Sequence, residues 1–366
     1  MTGFRTLEGD RPLRLVQVGA GGMGRAWLRA ITANPDVELV GLVDLDLDTA
    51  RAAIADAGLE GVEIGRSAAE VARITSADAV VNVTVPEAHL VVNREALEAG
   101  LPVLCEKPAA PTVATAMVQA AIAEAAGELL MISQSRRFFP ELRALRREVA
   151  ELGTIGTVRT DFFKAPHFGG FREQMPHVLL VDMAIHAFDA ARYVLNAEPV
   201  SVYCEEYNPE WSWYDGAANA VAVFEFAGGA RYVYDGSWCA PGLETSWNGS
   251  WRVSAADGSA EWDGEGAPVV HRPDAGEPVS AEIDASAQEL AGSLAAFVAA
   301  LRIGRAPENA AGDNLRSLAM VEAAVQSAET GVRVRIDDVL EQARQDALAL
   351  TDREDVRERL SAPAAG

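Results

Sequence analysis

The stretch Val16-Gln17-Val18-Gly19-Ala20-Gly21-Gly22-Met23-Gly24 decides the fold of the first part of this chain. The apolar, β-prone run from Leu13 to Val18 predicts a strand, and apolar residues recur at helical intervals from Met23 to Ile31. Between them the glycines follow the G-x-G-x-x-G spacing. The sequence therefore predicts a sharp turn from strand to helix.

The three motif glycines have different expected roles. Gly19 permits the tight turn, Gly21 lets a pyrophosphate approach the backbone, and Gly24 lets the helix pack closely on the strand. Phosphates here would face unpaired N–H groups at the helix start. The predicted dinucleotide-binding residues of the turn are Gly19, Ala20, Gly21, Gly22, Met23 and Gly24.

An acidic residue, Asp44, follows the next apolar run, Val37 to Val43, twenty residues after Gly24. A carboxylate at this point is expected to bond the ribose hydroxyls and to repel a 2′-phosphate. We therefore expect NAD rather than NADP. Two alternatives stay open: the nearby acids Asp46 and Asp48 add to the negative field or simply start and cap the next helix, and Arg51 could reach a phosphate.

Composition limits the class of protein. With 366 residues, 49% of them hydrophobic, the chain exceeds the usual size of one domain, so two are expected. The formal net charge of −23, from 54 acidic and 31 basic residues, disfavours nucleic acid and anionic membranes as partners. A small polar substrate fits better.

The cysteines, Cys105, Cys204 and Cys239, lie far apart and lack metal-ligand spacing. We expect free thiols, no metal site and a cytoplasmic location. Neither a signal peptide nor a membrane span is expected, because residues 1–14 mix charges and no apolar run approaches about eighteen residues.

Short β-prone runs alternate with helical runs up to about residue 134, which indicates a parallel sheet with helices on both faces. Longer strands and hairpin signals follow, including a Gly228-Gly229 turn. The predicted fold class is α/β plus α+β. Residues 1–134 form a Rossmann domain, and residues 135–366 form a substrate-binding and oligomerisation domain on an open, mostly antiparallel sheet covered by helices, the last of which return toward the first domain.

Lys107 is the first candidate for chemistry. It stands in Cys105-Glu106-Lys107-Pro108, directly after the apolar pair Val103-Leu104, and so at the carboxyl end of a predicted parallel strand. Ligands bind at that edge of such sheets, and Pro108 biases Lys107 away from helix. The alternative is a surface lysine in a turn.

A second candidate is the segment Asp182-Met183-Ala184-Ile185-His186-Ala187-Phe188-Asp189. Its spacing predicts that Asp182, His186 and Asp189 share one face of a helix over 178–195. Histidine is the natural general base near neutral pH, and an acid one turn away can hold its ring. A structural His-Asp pair and a metal pair are the alternatives, the second disfavoured because the other histidines lack ligand spacing.

Signals for the substrate are weaker. His177, five residues before Asp182, could enter the pocket. The further candidates are Arg137, Lys164, Arg172 and Asn248. The second domain also carries tryptophans that either stack on a sugar ring or form the sheet core: Trp211, Trp213, Trp238, Trp247 and Trp251.

Taken together, these motifs resemble the glucose-fructose oxidoreductase, inositol dehydrogenase and rhizopine catabolism (Gfo/Idh/MocA) family. The motifs that carry the resemblance are Gly19-x-Gly21-x-x-Gly24, Thr84-Val85-Pro86-Glu87-Ala88-His89, Glu106-Lys107-Pro108, Asp182-x-x-x-His186-x-x-Asp189 and the late Gly312-Asp313-Asn314. The resemblance implies that Lys107, Asp182 and His186 are catalytic. It also implies that Thr84, Pro86, His89, Glu106 and Lys107 approach the cofactor.

The implied activity is NAD-dependent hydride transfer at a secondary alcohol of a sugar, inositol or other polyhydroxylated molecule. His186 would take the hydroxyl proton, Lys107 would stabilise the developing alkoxide, and Asp182 would orient the imidazole or a neighbouring hydroxyl. Lys107, His177, Asp182 and His186 are the expected substrate contacts. A reductase working in the opposite direction, a non-catalytic NAD-binding regulator and an enzyme that retains its cofactor are the alternatives. A homodimer or homotetramer formed through the second-domain sheet is expected.

Overall fold

The computed structural model describes residues 3–274, 276–284 and 288–362. Its backbone contacts divide the chain into two compact units. The first consists of Met1–Ser135, Ala287–Leu315 and Gln342–Gly366, and the second of Arg136–Ser286 and Arg316–Glu341. The late helical segments therefore contribute to both units. The division into domains at residue 134 stays a prediction.

The first unit is built on a six-stranded sheet. Its strands are β1 (Leu13–Val18), β2 (Val37–Val43), β3 (Glu63–Gly65), β4 (Ala79–Asn82), β5 (Val103–Glu106) and β6 (Leu130–Ser133). They lie in the order β3-β2-β1-β4-β5-β6 and all pairs are parallel. This is the doubly wound order, in which the chain changes direction across the sheet between β1 and β4. The predicted Rossmann domain is confirmed.

Helices alternate with these strands. They are α1 (Gly22–Thr32), α2 (Leu47–Asp56), α3 (Ala68–Thr75), α4 (Pro86–Glu98) and α5 (Val113–Ala126). Their ends follow local chemistry: Ser67 and Thr112 accept backbone N–H groups at the starts of α3 and α5, and Gly127 ends α5 in the left-handed conformation. Because helices cover both faces, the strands are buried, as in the apolar β4 and β5.

A nine-stranded sheet forms the second unit. Its strands are β7 (Ile155–Phe163), β8 (Pro199–Tyr207), β9 (Asn219–Phe226), β10 (Arg231–Ser237), β11 (Ser250–Ala255), β12 (Gly258–Trp262), β13 (Val269–His271), β14 (Val279–Ser280) and β15 (Val334–Arg335). The order is β14-β13-β12-β11-β7-β10-β9-β8-β15. Of the strand pairs in the described part of the chain, β7–β10 alone is parallel, so this mixed sheet is mostly antiparallel, as predicted.

The predicted Gly228-Gly229 turn joins β9 to β10, and both glycines have positive φ, 85° and 91°. Buried and open positions alternate along β9 and β10. The buried face packs on Phe188, whose ring lies 4.7 Å from that of Phe224 and 5.4 Å from that of Tyr234 between centroids. Most residues of the other face are at least partly exposed.

The remaining helices are α6 (Pro140–Ala150), α7 (Phe171–Gln174), α8 (Ile185–Leu195), α9 (Glu289–Ile303), α10 (Ala311–Thr330), α11 (Ile336–Ala349) and α12 (Glu354–Ser361). Short 3₁₀ and π segments cover Ser135–Phe138 and Leu179–Ala184. Among the helices described, none has the length and apolar character needed to cross a membrane.

Candidate functional site

The glycine turn has the geometry that its spacing predicts. Gly19 has a φ of 104°, and a Cβ there would lie 2.6 Å from the carbonyl oxygen of Val83. A Cβ on Gly24 would lie 2.3 Å from the carbonyl oxygen of Gly19. Around Gly21 there is no atom within 4 Å of such a Cβ. The roles of Gly19 and Gly24 are therefore confirmed, and Gly21 leaves open space over the turn.

Gln17 holds this turn in place, a role that the sequence analysis missed. Its side chain is fully buried in β1, and its Nε2 donates to the carbonyl oxygens of Gly19, at 2.8 Å, and Gly24, at 2.9 Å. The available signal was one amide residue in the middle of an apolar strand, because a buried amide needs hydrogen-bond partners.

Asp44 lies beside the turn at the end of β2. Its Oδ2 accepts from the backbone nitrogen of Ala20 at 2.8 Å, and its Oδ1 accepts from that of Asp46 at 2.9 Å. A carboxylate offers about four acceptor positions, so capacity remains for ribose hydroxyls. Asp46 caps α2 by accepting from the nitrogen of Asp48, and Arg51 pairs with Asp48 at 2.7 Å. The capping interpretation of Asp46 is thus confirmed.

These features fit a dinucleotide. Helix α1 begins at Gly22 without a capping side chain, and Gly21, Gly22 and Met23 are exposed. The N–H groups at the start of such a helix, together with its dipole, favour a phosphate. The backbone from Gly19 to Gly24 would hold the pyrophosphate, and Asp44 would hold the adenosine ribose.

Lys107 follows β5, at the same sheet edge as the glycine turn, because β1, β4 and β5 are parallel neighbours. The peptide bond between Lys107 and Pro108 is cis. Glu106 is buried: its Oε1 accepts from Nε1 of Trp27 at 2.7 Å and its Oε2 from the backbone nitrogen of Lys107 at 2.9 Å. Burial raises the pKa of the Glu106 carboxyl, which Trp27 and Lys107 oppose. Glu106 thus connects α1 to the candidate lysine.

The Thr84 segment reaches this edge as well. The Thr84 hydroxyl donates to Oδ1 of Asn82 at 2.7 Å, and Pro86 is the first residue of α4. The ring of His89 is completely buried, with Nδ1 2.9 Å from the Pro108 carbonyl oxygen and Nε2 3.1 Å from that of Thr84. This corrects the expected cofactor contact of His89, because a ring enclosed by backbone supports the segments and does not face a ligand.

In the second unit, the predicted helix over 178–195 consists of a π-helical segment, Leu179–Ala184, followed by α8. The i, i+4, i+7 spacing that places three residues on one face applies to an α-helix, whereas Asp182 lies in the π-helical segment and His186 and Asp189 lie in α8. Asp182 accepts from Nε of Arg172 at 2.7 Å.

Asp189, by contrast, is buried in a bidentate ion pair. Its carboxylate accepts from Nε and an Nη of Arg137 at 2.7 Å each, and from the Ser317 hydroxyl at 2.6 Å. Asp189 therefore has a structural role, and its convergence with Asp182 and His186 stays a prediction. Arg137, a weaker candidate for substrate contact, has the same structural role.

His186 lies on the wall of a cleft within the second unit. The lining residues are Arg136, Leu142, Thr160, Phe162, Met183, His186, Ala187, Ala190, Tyr234, Trp247, Asn248, Trp251 and Trp262. Trp247 is 46% exposed there. Arg136 donates to Oδ1 of Asn248 at 2.7 Å and also to the Trp247 carbonyl oxygen. The cleft combines a histidine, an indole face and an amide.

His177 lies between two carboxylates. Its Nδ1 contacts Oε2 of Glu206, and its Nε2 lies 3.4 Å from Oε1 of Glu329. Burial raises the pKa of the Glu206 carboxyl, an effect that His177 opposes. Both ring nitrogens lie near protein carboxylates, so a ligand would compete with one of them, and the substrate contact of His177 stays a prediction.

The other polar and aromatic candidates have mixed roles. Trp238 and Trp251 are sheet core, each 2% exposed, whereas Trp211 is 65% exposed. Lys164 pairs with Glu244 at 2.8 Å, and its Nζ lies 5.4 Å from the Trp247 ring centroid. Over the described ranges, no cluster of three or more histidine, cysteine or acidic side chains is arranged to hold a metal ion.

Comparison with known proteins identifies the family. The model of an oxidoreductase family with an NAD-binding Rossmann fold, Gfo/Idh/MocA, matches residues 13–134, and that of the Gfo/Idh/MocA C-terminal domain matches residues 142–261. The chain belongs to the Gfo/Idh/MocA family. The resemblance inferred from the motifs is confirmed, and the glycine turn lies in the NAD-binding part of an oxidoreductase.

Three similar proteins extend this result. The uncharacterized protein y4oX of Sinorhizobium fredii is 29% identical over 353 residues, which covers 90% of this chain and 98% of that protein. Inositol 2-dehydrogenase 4 of Saccharopolyspora erythraea is 34% identical over 198 residues, covering 53% and 57%. A crystal structure of an oxidoreductase from Agrobacterium radiobacter with NAD+, L-tartaric acid and magnesium shares the fold, with a TM-score of 0.82, 19% identity and coverage of 90% and 99%.

Proposed function

We propose that this oxidoreductase transfers hydride between NAD and a secondary alcohol or ketone of a sugar, inositol or related polyhydroxylated molecule. One observation carries the proposal: the glycine turn, Asp44 and Lys107 follow parallel strands β1, β2 and β5, and so lie at one edge of one sheet. An ammonium group at the edge that fits a dinucleotide is suited to stabilise an alkoxide while hydride leaves the adjacent carbon.

In the proposed mechanism, His186 is the base that removes the hydroxyl proton, and Lys107 stabilises the developing alkoxide by a hydrogen bond. Asp182, held by Arg172, orients the imidazole or a neighbouring hydroxyl. When bound, NAD supplies the hydride acceptor. In the reverse direction the same residues would reduce a ketone, with His186 returning the proton.

NAD is proposed over NADP because Asp44 lies where the ribose would bind. The carboxylate accepts from ribose hydroxyls and repels a 2′-phosphate. Arg51, which could reach a phosphate, is paired with Asp48 at 2.7 Å.

The cleft beside His186 supports a polyhydroxylated substrate. The half-exposed indole of Trp247 offers an apolar face of the kind that stacks on a sugar ring. The relative named inositol 2-dehydrogenase 4 supports the same substrate class.

We also propose that two or four copies associate through the open face of the second sheet. Tyr203, Val223 and Val233 are paired across β8, β9 and β10 and are only partly covered. Such an apolar row fits an isologous contact. Sedimentation that shows only a monomer at micromolar concentration would contradict this.

The cysteines Cys105, Cys204 and Cys239 are free and buried, which supports a reducing, cytoplasmic location.

The test is a panel of polyols, aldoses and inositols with NAD, followed by NADH absorbance. We expect turnover with at least one member, and a decrease of about 10²- to 10⁴-fold in the His186→Ala variant with unchanged NAD affinity. Near-normal turnover in that variant would reject the role of His186. NAD binding without turnover of any alcohol or ketone would indicate the regulator, and a nicotinamide absorbance that copurifies would indicate a retained cofactor.

A further inference from the structure

A ring of buried polar side chains lies behind the edge that carries Lys107. Asn82, His89, Asn93 and Gln119 are each 0–1% exposed, and they come from β4, α4 and α5. All four belong to the first unit, among otherwise apolar strands and helices. Burial of amide and imidazole groups lowers the stability of the fold unless each group is hydrogen-bonded. A buried polar network of this size therefore indicates a specific role.

The bonds run without a break. Nδ2 of Asn82 donates to Oδ1 of Asn93 at 2.8 Å, and Nδ2 of Asn93 donates to Oε1 of Gln119. Nε2 of Gln119 then donates to the carbonyl oxygen of Ala109 at 2.9 Å. The chain of bonds thus reaches the backbone two residues after Lys107.

His89 lies between the two ends of this chain of bonds; burial lowers its pKa, and a neutral ring donates from one nitrogen only. Its Nδ1 lies 2.9 Å from the Pro108 oxygen and 3.3 Å from that of Ala109, and its Nε2 lies 3.1 Å from the Thr84 oxygen. Asn82 accepts from the backbone nitrogen of Thr84 at 3.1 Å and from its hydroxyl. The ring therefore fixes two backbone segments at once, Thr84 and Pro108-Ala109.

We propose that Asn82, His89, Asn93 and Gln119 are positioning residues for Lys107 and for the Thr84 segment. This inference rests on the proposed function. The network touches the two segments only through backbone oxygens, a backbone nitrogen and the Thr84 hydroxyl, so it sets where they lie without contacting a ligand. Misplacement of a catalytic group by about 1 Å can lower turnover by roughly 10²-fold. A network that fixes the backbone next to Lys107 would therefore keep turnover high.

The test compares Gln119→Met with Ile122→Ala. The methionine has nearly the shape of glutamine but removes both of its hydrogen bonds. Ile122 is 1% exposed on the same helix and forms no side-chain hydrogen bond with the ring. Ile122→Ala is therefore the control variant, because it lowers stability without removing the hydrogen bonds of the ring. We expect Gln119→Met to lower kcat by about ten- to a hundredfold with KM for NAD within about twofold, and Ile122→Ala to leave both nearly unchanged.

A second measurement needs no substrate. Lysine occurs at two positions in the sequence, Lys107 and Lys164. Reductive methylation with ¹³C-formaldehyde therefore gives two side-chain NMR signals, which Lys164→Arg assigns. We expect the Lys107 signal to move in Gln119→Met and the Lys164 signal to stay.

A Lys107 signal that stays in place, or a kcat no lower than that of Ile122→Ala, would overturn the inference. Failure of the proposed function is a different result: it would appear as a wild-type chain inactive on the whole panel, and the NMR comparison would still decide the positioning role.

Discussion

The carboxylate of Asp44 accepts a hydrogen bond from the backbone nitrogen of Ala20 at 2.8 Å. The residue proposed to select the cofactor is therefore also a support of the turn that would bind its phosphates. These two roles cannot be separated by removing the side chain, because one carboxylate performs both. A shape-conserving amide separates them in part, since its oxygen can still accept from Ala20.

Asp44→Ala is expected to raise the Kd for NAD by about ten- to a hundredfold, because hydrogen bonds to a charged group contribute about 1.5–3 kcal/mol. The preference over NADP should shrink, since the repulsive carboxylate is gone. Calorimetric titration with both dinucleotides measures this. Asp46→Ala is the control: it removes the cap of α2 and lowers stability, with NAD affinity retained. Unchanged NAD affinity in Asp44→Ala would contradict the assignment.

Gly21→Ala and Gly24→Ala are expected to have different defects: the first weakens NAD binding and the second lowers stability. Gly21 has a φ of −67° and open space around it, so alanine folds normally but intrudes on the bound pyrophosphate. In Gly24→Ala the new Cβ meets the Gly19 oxygen at 2.3 Å, which costs about 1–3 kcal/mol. Thermal unfolding and NAD titration of both variants measure the two effects. Equal stability losses would refute this separation.

The buried carboxyl of Glu106 is expected to lower the free energy of unfolding as the pH rises. Its pKa is raised in the folded chain, so its contribution is complete below the unfolded pKa of about 4.3 and is lost as the pH rises through the folded pKa. Glu106→Gln removes that loss. The stability of the variant relative to wild type should improve as the pH rises above the unfolded pKa of about 4.3, on top of a constant penalty for the disturbed hydrogen bonds.

Denaturant unfolding at several pH values, with the exposed Glu60→Gln as control, measures the difference for Glu106→Gln. A relative stability that does not change with pH would show that the folded-state pKa of Glu106 is not raised.

Asp189→Ala and Asp182→Ala should separate structure from catalysis. Removing Asp189 leaves the Arg137 guanidinium buried without its partner, and we expect a loss of about 3–5 kcal/mol in the free energy of unfolding. Asp182 and Arg172 have side chains 19% and 38% exposed, so Asp182→Ala should cost no more than about 1 kcal/mol while lowering turnover. Unfolding curves and steady-state rates test both. A large stability loss in Asp182→Ala with normal turnover would overturn the distinction.

The sequence by itself determined the first sheet and the position of its ligand edge. Strand, glycine turn, helix and acid are local patterns, and parallel strands joined by helices place their carboxyl ends together, so Gly19, Asp44, Thr84 and Lys107 were predictable as one edge. Similarly, the alternation of β9 and β10 about the Gly228-Gly229 turn predicted an antiparallel hairpin.

Only the tertiary structure decided which polar residues hold other segments in place instead of contacting a ligand. His89, His177 and Asp189 appear in the sequence as polar candidates alongside His186, but their partners are carbonyl oxygens, carboxylates and an arginine distant in the chain. Spacing arguments also assume an ideal α-helix, and the π-helical segment at 179–184 breaks that assumption. Burial and long-range hydrogen bonds are properties of the packed chain, so local pattern could not reveal them.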